Sequence, residues 1–182
     1  TDLRMDLTTI GLFSLVGLPY TLKFLWSPLV DRFTPPLLGR RRGWTLVAQT
    51  GLIASLAALA FCDPRAAPGV VGGLAMLIAF FAASQDIVLD AYRREILPDE
   101  ELGLGSSLFI NGYRLAMLFA GAFSLYLADR LPWRTVYLIM AAAVLVGVAT
   151  ALLAPEPALD GPPPGSMREA VLGPFLEFFA RR

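Results

Sequence analysis

Five apolar runs of about twenty residues each, the length needed to cross a hydrocarbon core, dominate this 182-residue chain. They lie at about 8–30, 44–62, 69–91, 105–128 and 135–154. Apolar residues make up 56% of the chain and charged residues 16%, against roughly 45–50% and 25% in soluble domains. Inside a bilayer every backbone N–H and C=O needs an internal partner, which leaves helices or a closed barrel. No ten-residue stretches of alternating polarity are visible, so a barrel is excluded. The expected fold is an all-α integral membrane domain of five transmembrane helices.

The third run is the most informative. Wound as a helix at 100° per residue, Gly72, Ala75, Ala79, Ala82, Asp86 and Asp90 fall within an arc of about 80°. Leu74, Leu77, Phe81 and Val88 sit opposite. Such a helix turns its small, acidic face to a wet cavity or to close neighbours and its bulky face to lipid or packed helices.

The first run contains Pro19 and Pro28 and is expected to bend; it also carries Lys23. A loop at 31–43 holds Pro35, Pro36 and four arginines. The second run has Gln49 and Thr50 as its notable polar groups. The fourth carries Ser107, Asn111 and Arg114 at i, i+4 and i+7, one polar stripe. The fifth has no charge. Residues 155–166 form a proline-rich linker, and 167–182 read as a short amphipathic helix. The chain opens at Thr1 without a charged-then-apolar leader and is expected to be a piece of a longer protein.

Several classes of function fall away. Net charge is zero, which gives no field for nucleic acid. With no histidine, this stretch holds no His-based acid–base or Ser–His chemistry and no zinc–His site. Cys62 stands alone and forms no internal disulfide. An intramembrane aspartyl protease needs facing carboxylates that share a proton, whereas Asp86 and Asp90 lie one turn apart on one helix and point the same way. Gly103 and Gly105 make only a lone GxG with no strand before it. The chain is read as no enzyme, with no cofactor and no metal.

Charge then fixes orientation. The loops after the first and third runs, with the tail, hold Arg32, Arg40, Arg41, Arg42, Arg93, Arg94, Arg168, Arg181 and Arg182; the opposite side holds Arg4, Arg65, Arg130 and Arg134. Basic residues stay cytoplasmic, so the first residue is expected in the periplasm and the tail in the cytoplasm. Lys23, Asp86 and Arg114 remain inside the membrane, each costing about 2.5–3.5 kcal/mol near its centre. Measured at about 1.5 Å per residue from the cytoplasmic loops, all three fall in the cytoplasmic half, close enough in depth to share one cavity. Two readings stand here: a translocation path, or ion pairs that fix helix register. Asp90, near the membrane edge, is expected to pair with the loop arginines.

The segments LPYTLKFLWSPLVDR (Leu18–Arg32), GRRRGW (Gly39–Trp44), SQDIVLDAYRREIL (Ser84–Leu97) and GLGSSLFINGYRLAML (Gly103–Leu118) resemble the AmpG-type muropeptide permeases of the major facilitator superfamily. The superfamily's loop signature, G-x-x-x-D-R-x-G-R-R, is met at Asp31-Arg32 and Gly39-Arg40-Arg41; Ser27 replaces the leading glycine and 34–38 are inserted. The resemblance implies a twelve-helix transporter of two six-helix halves, of which these five helices would be the second to sixth. The first helix and the second half would be partners outside this chain.

The resemblance also implies an inner (bacterial cytoplasmic) membrane location and proton-coupled import of anhydro-muropeptides for cell-wall recycling. Lys23, Asp86, Asn111, Arg114 and Gln85 would line the substrate and proton path; Asp31, Arg32, Arg40, Arg41, Asp90 and Arg93 would serve as the cytoplasmic gate. Within that path, Arg114 and Lys23 are expected to hold substrate carboxylates and Asp86 to carry proton or gating duty. The alternatives are a carrier of another anionic conjugate, such as an acetyl-coenzyme A-type solute, or a membrane scaffold or receptor that transports nothing.

Overall fold

The computed structural model describes residues 14–36 and 38–158, and every regular element among them is helical. Two short helices, α1 (Leu18–Leu22) and α2 (Ser27–Arg32), are followed by four long ones: α3 (Arg40–Ala60), α4 (Pro68–Ile96), α5 (Leu102–Ala128) and α6 (Trp133–Leu153). The long four are each long and apolar enough to cross a membrane. The expected amphipathic helix at 167–182 lies outside the described residues.

Among its described residues the first run is bent and not one continuous helix, as its prolines suggest. Tight 3₁₀ turns at Leu15–Gly17 and Lys23–Leu25 interrupt it, and among the described residues its apolar helical stretch is Leu15–Leu25. Proline explains the second break. Pro28 opens α2 and has no N–H to give the Phe24 carbonyl, so the Ser27 hydroxyl donates to that carbonyl instead, at 3.4 Å.

Helix α3 starts earlier than the apolar pattern suggests, with Arg40–Gly43 as its first turn. Gly39 before it adopts φ +83°, a left-handed conformation that suits glycine. Helix α4 likewise runs past Ala91 to Ile96, carrying Arg93, Arg94 and Glu95 on its last turn. Cations at a helix C-terminus oppose the negative end of its dipole.

The core is α3 packed on α4 and on α6. Its buried side chains are small: Ala48, Ala79, Ala83, Val88, Val136 and Ala141. Helices in lipid gain little from hydrophobic exclusion and associate by close van der Waals approach, which small residues permit. At Gly51 a Cβ would fall 2.5 Å from the Phe81 ring, so the glycine makes room for the bulky face of α4. Phe81 of that face therefore packs on α3, and Val88 of the same face is buried, whereas Leu77 stays exposed. Helix α5 packs lightly and buries none of its residues, leaving Leu104, Leu108, Leu115, Leu118 and Phe119 exposed.

Candidate functional site: a charged cleft and an arginine network

A cleft of about 980 Å³ opens between α4 and α5, with Tyr20 of α1 at its edge. From α4 it takes Ala82, Gln85, Asp86, Leu89, Asp90 and Arg93, so the acidic face read from the sequence looks into it. The first segment is pinned against α4 by Trp26, whose indole N–H donates to Ser84 Oγ at 3.1 Å and whose ring lies 4.9 Å from that of Phe80. This contact aims the preceding 3₁₀ turn at α4, and Lys23 Nζ donates to Asp86 Oδ2 in an ion pair. Each partner keeps about a third of its side chain exposed, 34% for Lys23 and 33% for Asp86. Of the two, Asp86 lines the cleft.

Asp90 pairs with Arg93 at 3.1 Å, one turn along α4, and the Arg93 guanidinium sits 4.6 Å from the Phe109 ring of α5. Gln85 also lines the cleft, and its Oε1 is buried without a hydrogen-bond partner among the described residues.

The stripe on α5 is turned elsewhere. Ser106, Phe109, Ile110 and Tyr113 face the cleft, whereas Ser107, Asn111 and Arg114 lie one residue, about 100°, further round. Asn111 donates to the Ser107 carbonyl of its own helix at 2.8 Å. Arg114 is exposed and makes no hydrogen bond or ion pair with the described residues. Lys23 and Asp86 meet as depth suggests; Arg114 is not brought into their cavity.

A second cluster closes the end of the bundle where α3 begins. Arg41 is 4% exposed. Its Nη1 donates to Asp31 Oδ1 at 2.8 Å, its Nε to Glu95 Oε2 at 2.9 Å, and its Nη2 to Glu95 Oε1. Arg40 adds a bond to Glu95 Oε1 at 2.9 Å and one to the Asp31 carbonyl at 3.3 Å. The forked guanidinium thus joins the end of α2 to the end of α4, a geometry a lysine lacks. Arg32 stays outside and lies 5.6 Å from the Phe33 ring.

Two acids missed by sequence reasoning complete this cluster. Glu95 is one. Glu156, past the end of α6, is the other: it accepts the backbone N–H groups of Arg41 at 2.7 Å and Arg42 at 3.0 Å. The only available signal was charge balance, since a loop of four arginines calls for carboxylates.

Long apolar helices around an ion-paired cleft, with a cluster of arginines and acids at one end, are the features of a multi-pass membrane domain. The family model of the major facilitator superfamily matches residues 1–182, and the chain belongs to that superfamily.

Within it, the chain is 48% identical over 179 residues to the anhydromuropeptide permease of Escherichia coli K12, covering 98% of this chain and 36% of that protein. It is 49% identical over 184 residues to an uncharacterized protein of Haemophilus influenzae, covering 100% of this chain and 43% of the other. It is 37% identical over 144 residues to the putative transporter AmpG 1 of Rickettsia prowazekii, covering 77% of this chain and 32% of that protein. The chain therefore spans between about a third and less than half the length of these relatives.

Proposed function

We propose that this chain is part of a secondary transporter that imports anhydro-muropeptides across the bacterial inner membrane, coupled to protons. The observation that carries this reading is the Lys23–Asp86 ion pair in an open cleft between membrane helices, in a chain 48% identical to an anhydromuropeptide permease. A charged pair in lipid is costly unless it works or locks helices together. Each of these side chains is about one-third exposed and Asp86 lines the cleft, so the carboxylate is reachable by solute. No catalytic step is part of the reading.

The proposed cycle uses the pair as a switch. A proton taken up by Asp86 from cleft water neutralises the carboxylate and releases the Lys23 ammonium, which then holds a substrate carboxylate. Loss of the proton on the cytoplasmic side restores the pair and expels the substrate. Asn111 and Arg114 are proposed to complete the path against the parts of the protein beyond this chain. Arg114→Lys is then expected to lower uptake severalfold although charge is kept, because the planar fork that binds a carboxylate at two points is lost. Unchanged uptake in that variant would remove Arg114 from the path.

The decisive experiment is uptake of labelled anhydro-muropeptide into vesicles by the full-length protein, with and without an inward proton gradient. Gradient-driven accumulation supports the reading. Binding without accumulation would favour a scaffold or receptor.

The proposed topology places Arg40–Arg42 in the cytoplasm. Single cysteines at the exposed positions Thr34 and Ala66, in a Cys62→Ser background, are expected to label from opposite sides of the membrane. Labelling from one side refutes the topology.

A further inference from the structure

Glu156 binds nothing that the transport cycle above requires, yet it is held by more contacts than any surface carboxylate needs. Its two oxygens accept the N–H groups of Arg41 and Arg42, two of the donors that a helix leaves unpaired in its first turn. Arg42 returns the contact: its Nε donates to the Ala151 carbonyl at 2.9 Å and its Nη2 to the Leu152 carbonyl, both at the C-terminal end of α6. An acid thus caps the positive end of α3, and a cation caps the negative end of α6. The Tyr92 hydroxyl of α4 donates to the Pro155 carbonyl at 3.0 Å and fixes the chain leading into Glu156. Gly39 leaves the space for it, since a Cβ there would fall 2.5 Å from Glu156 Cδ.

The capped residue is the centre of the loop network. Arg41 offers its backbone N–H to Glu156 while its guanidinium bridges Asp31 and Glu95. Among the described residues no hydrogen bond links Glu156 to Asp31 or Glu95, and Arg41 is bonded to all three.

We propose that Glu156 is a positioning residue: with Arg42 it clasps the end of α6 to the start of α3 and so holds Arg41 in place between Asp31 and Glu95. The start of the linker after α6 is thereby tied to the network around Arg41. The consequence for transport rests on the function proposed above; the clasp itself does not.

Hydrogen–deuterium exchange on the full-length protein separates the two. In Glu156→Ala, exchange is expected to rise at 39–44, where the cap is lost, and also at 31–33 and 93–97, where Arg41 no longer bridges. Faster exchange at 39–44 alone would mean a local cap and overturn the positioning role. Unchanged exchange throughout would overturn the clasp.

In uptake, Glu156→Ala is expected to lower the maximal rate about fivefold with KM unchanged, and Glu156→Gln, which still accepts through one oxygen, to fall between it and wild type. A raised KM at constant maximal rate would put Glu156 on the substrate path and overturn the proposal. Combining Glu156→Ala with Arg42→Met is expected to add little to either single change, because both open one clasp. Full additivity counts against it. If the wild-type protein takes up no muropeptide, the proposed function fails while the exchange pattern still decides the clasp.

Discussion

Asp86→Asn in the full-length protein is expected to cut muropeptide uptake by at least about tenfold, equivalent to ~1.4 kcal/mol or more in the rate-limiting step, and to leave the residue insensitive to the proton gradient. Asparagine keeps the size and one acceptor oxygen but takes no proton at neutral pH. In the native cleft Lys23 has Asp86 as its ion-pair partner. Without the carboxylate the ammonium is free at all times, so substrate binds but is not expelled. Equilibrium binding is therefore expected to persist while accumulation is lost.

Lys23→Met separates the two roles from the other side: it removes the substrate cation and is expected to weaken binding itself. The double variant Lys23→Met with Asp86→Leu then discriminates function from architecture. Replacing both charges by apolar groups is often neutral or favourable for stability, because no desolvated ion is stranded. Good folding with no uptake supports a working pair. Normal uptake by the double variant would show that the charges only fix helix register.

How much of this was legible beforehand depended on whether a residue's partners were local. The acidic face of α4 follows from the period of Gly72, Ala75, Ala79, Ala82, Asp86 and Asp90 alone, and Asp86 and Asp90 line the cleft. The meeting of Lys23 and Asp86 came from depth, since two charges at similar depth in lipid have strong reason to pair. Rotation was not readable for α5. Its spacing puts Ser107, Asn111 and Arg114 on one stripe, but leucine and phenylalanine lie nearly all round it and none of its residues is buried. Nothing in the sequence therefore says which side meets α4.

The kink of the first run was readable from Pro28, its division into 3₁₀ and α turns was not, because local hydrogen-bond choice depends on what Trp26 finds on α4. Glu95 and Glu156 were invisible for a plainer reason. They meet Arg41 across 54 and 115 residues of sequence, and in isolation each reads as an ordinary solvated charge.

The second large effect is expected at Arg41. Its side chain is 5% exposed, while those of Asp31 and Glu95 are 42% and 27% exposed. Breaking a fully buried ion pair from one side costs about 3–5 kcal/mol, since the abandoned charge stays desolvated. Here the abandoned charges are carboxylates that water partly reaches, so Arg41→Met is expected to cost less, about 2–3 kcal/mol. Arg41→Lys tests geometry apart from charge. One ammonium cannot match bonds from Nε and Nη2 to the two Glu95 oxygens together with one from Nη1 to Asp31. A loss of about 1–2 kcal/mol is expected even with the charge intact, from two hydrogen bonds to charged partners reduced to weaker ones.

Unfolding of the purified full-length protein in detergent measures both variants, and Glu95→Gln supplies the third corner. Because Arg41 and Glu95 share their bonds, Arg41→Met with Glu95→Gln is expected to cost clearly less than the sum of the single changes. Simple addition of the two losses, or wild-type stability in Arg41→Met, would mean that the buried arginine does not hold α2, α3 and α4 together. Closure of that end of the bundle would then have to come from helix packing alone.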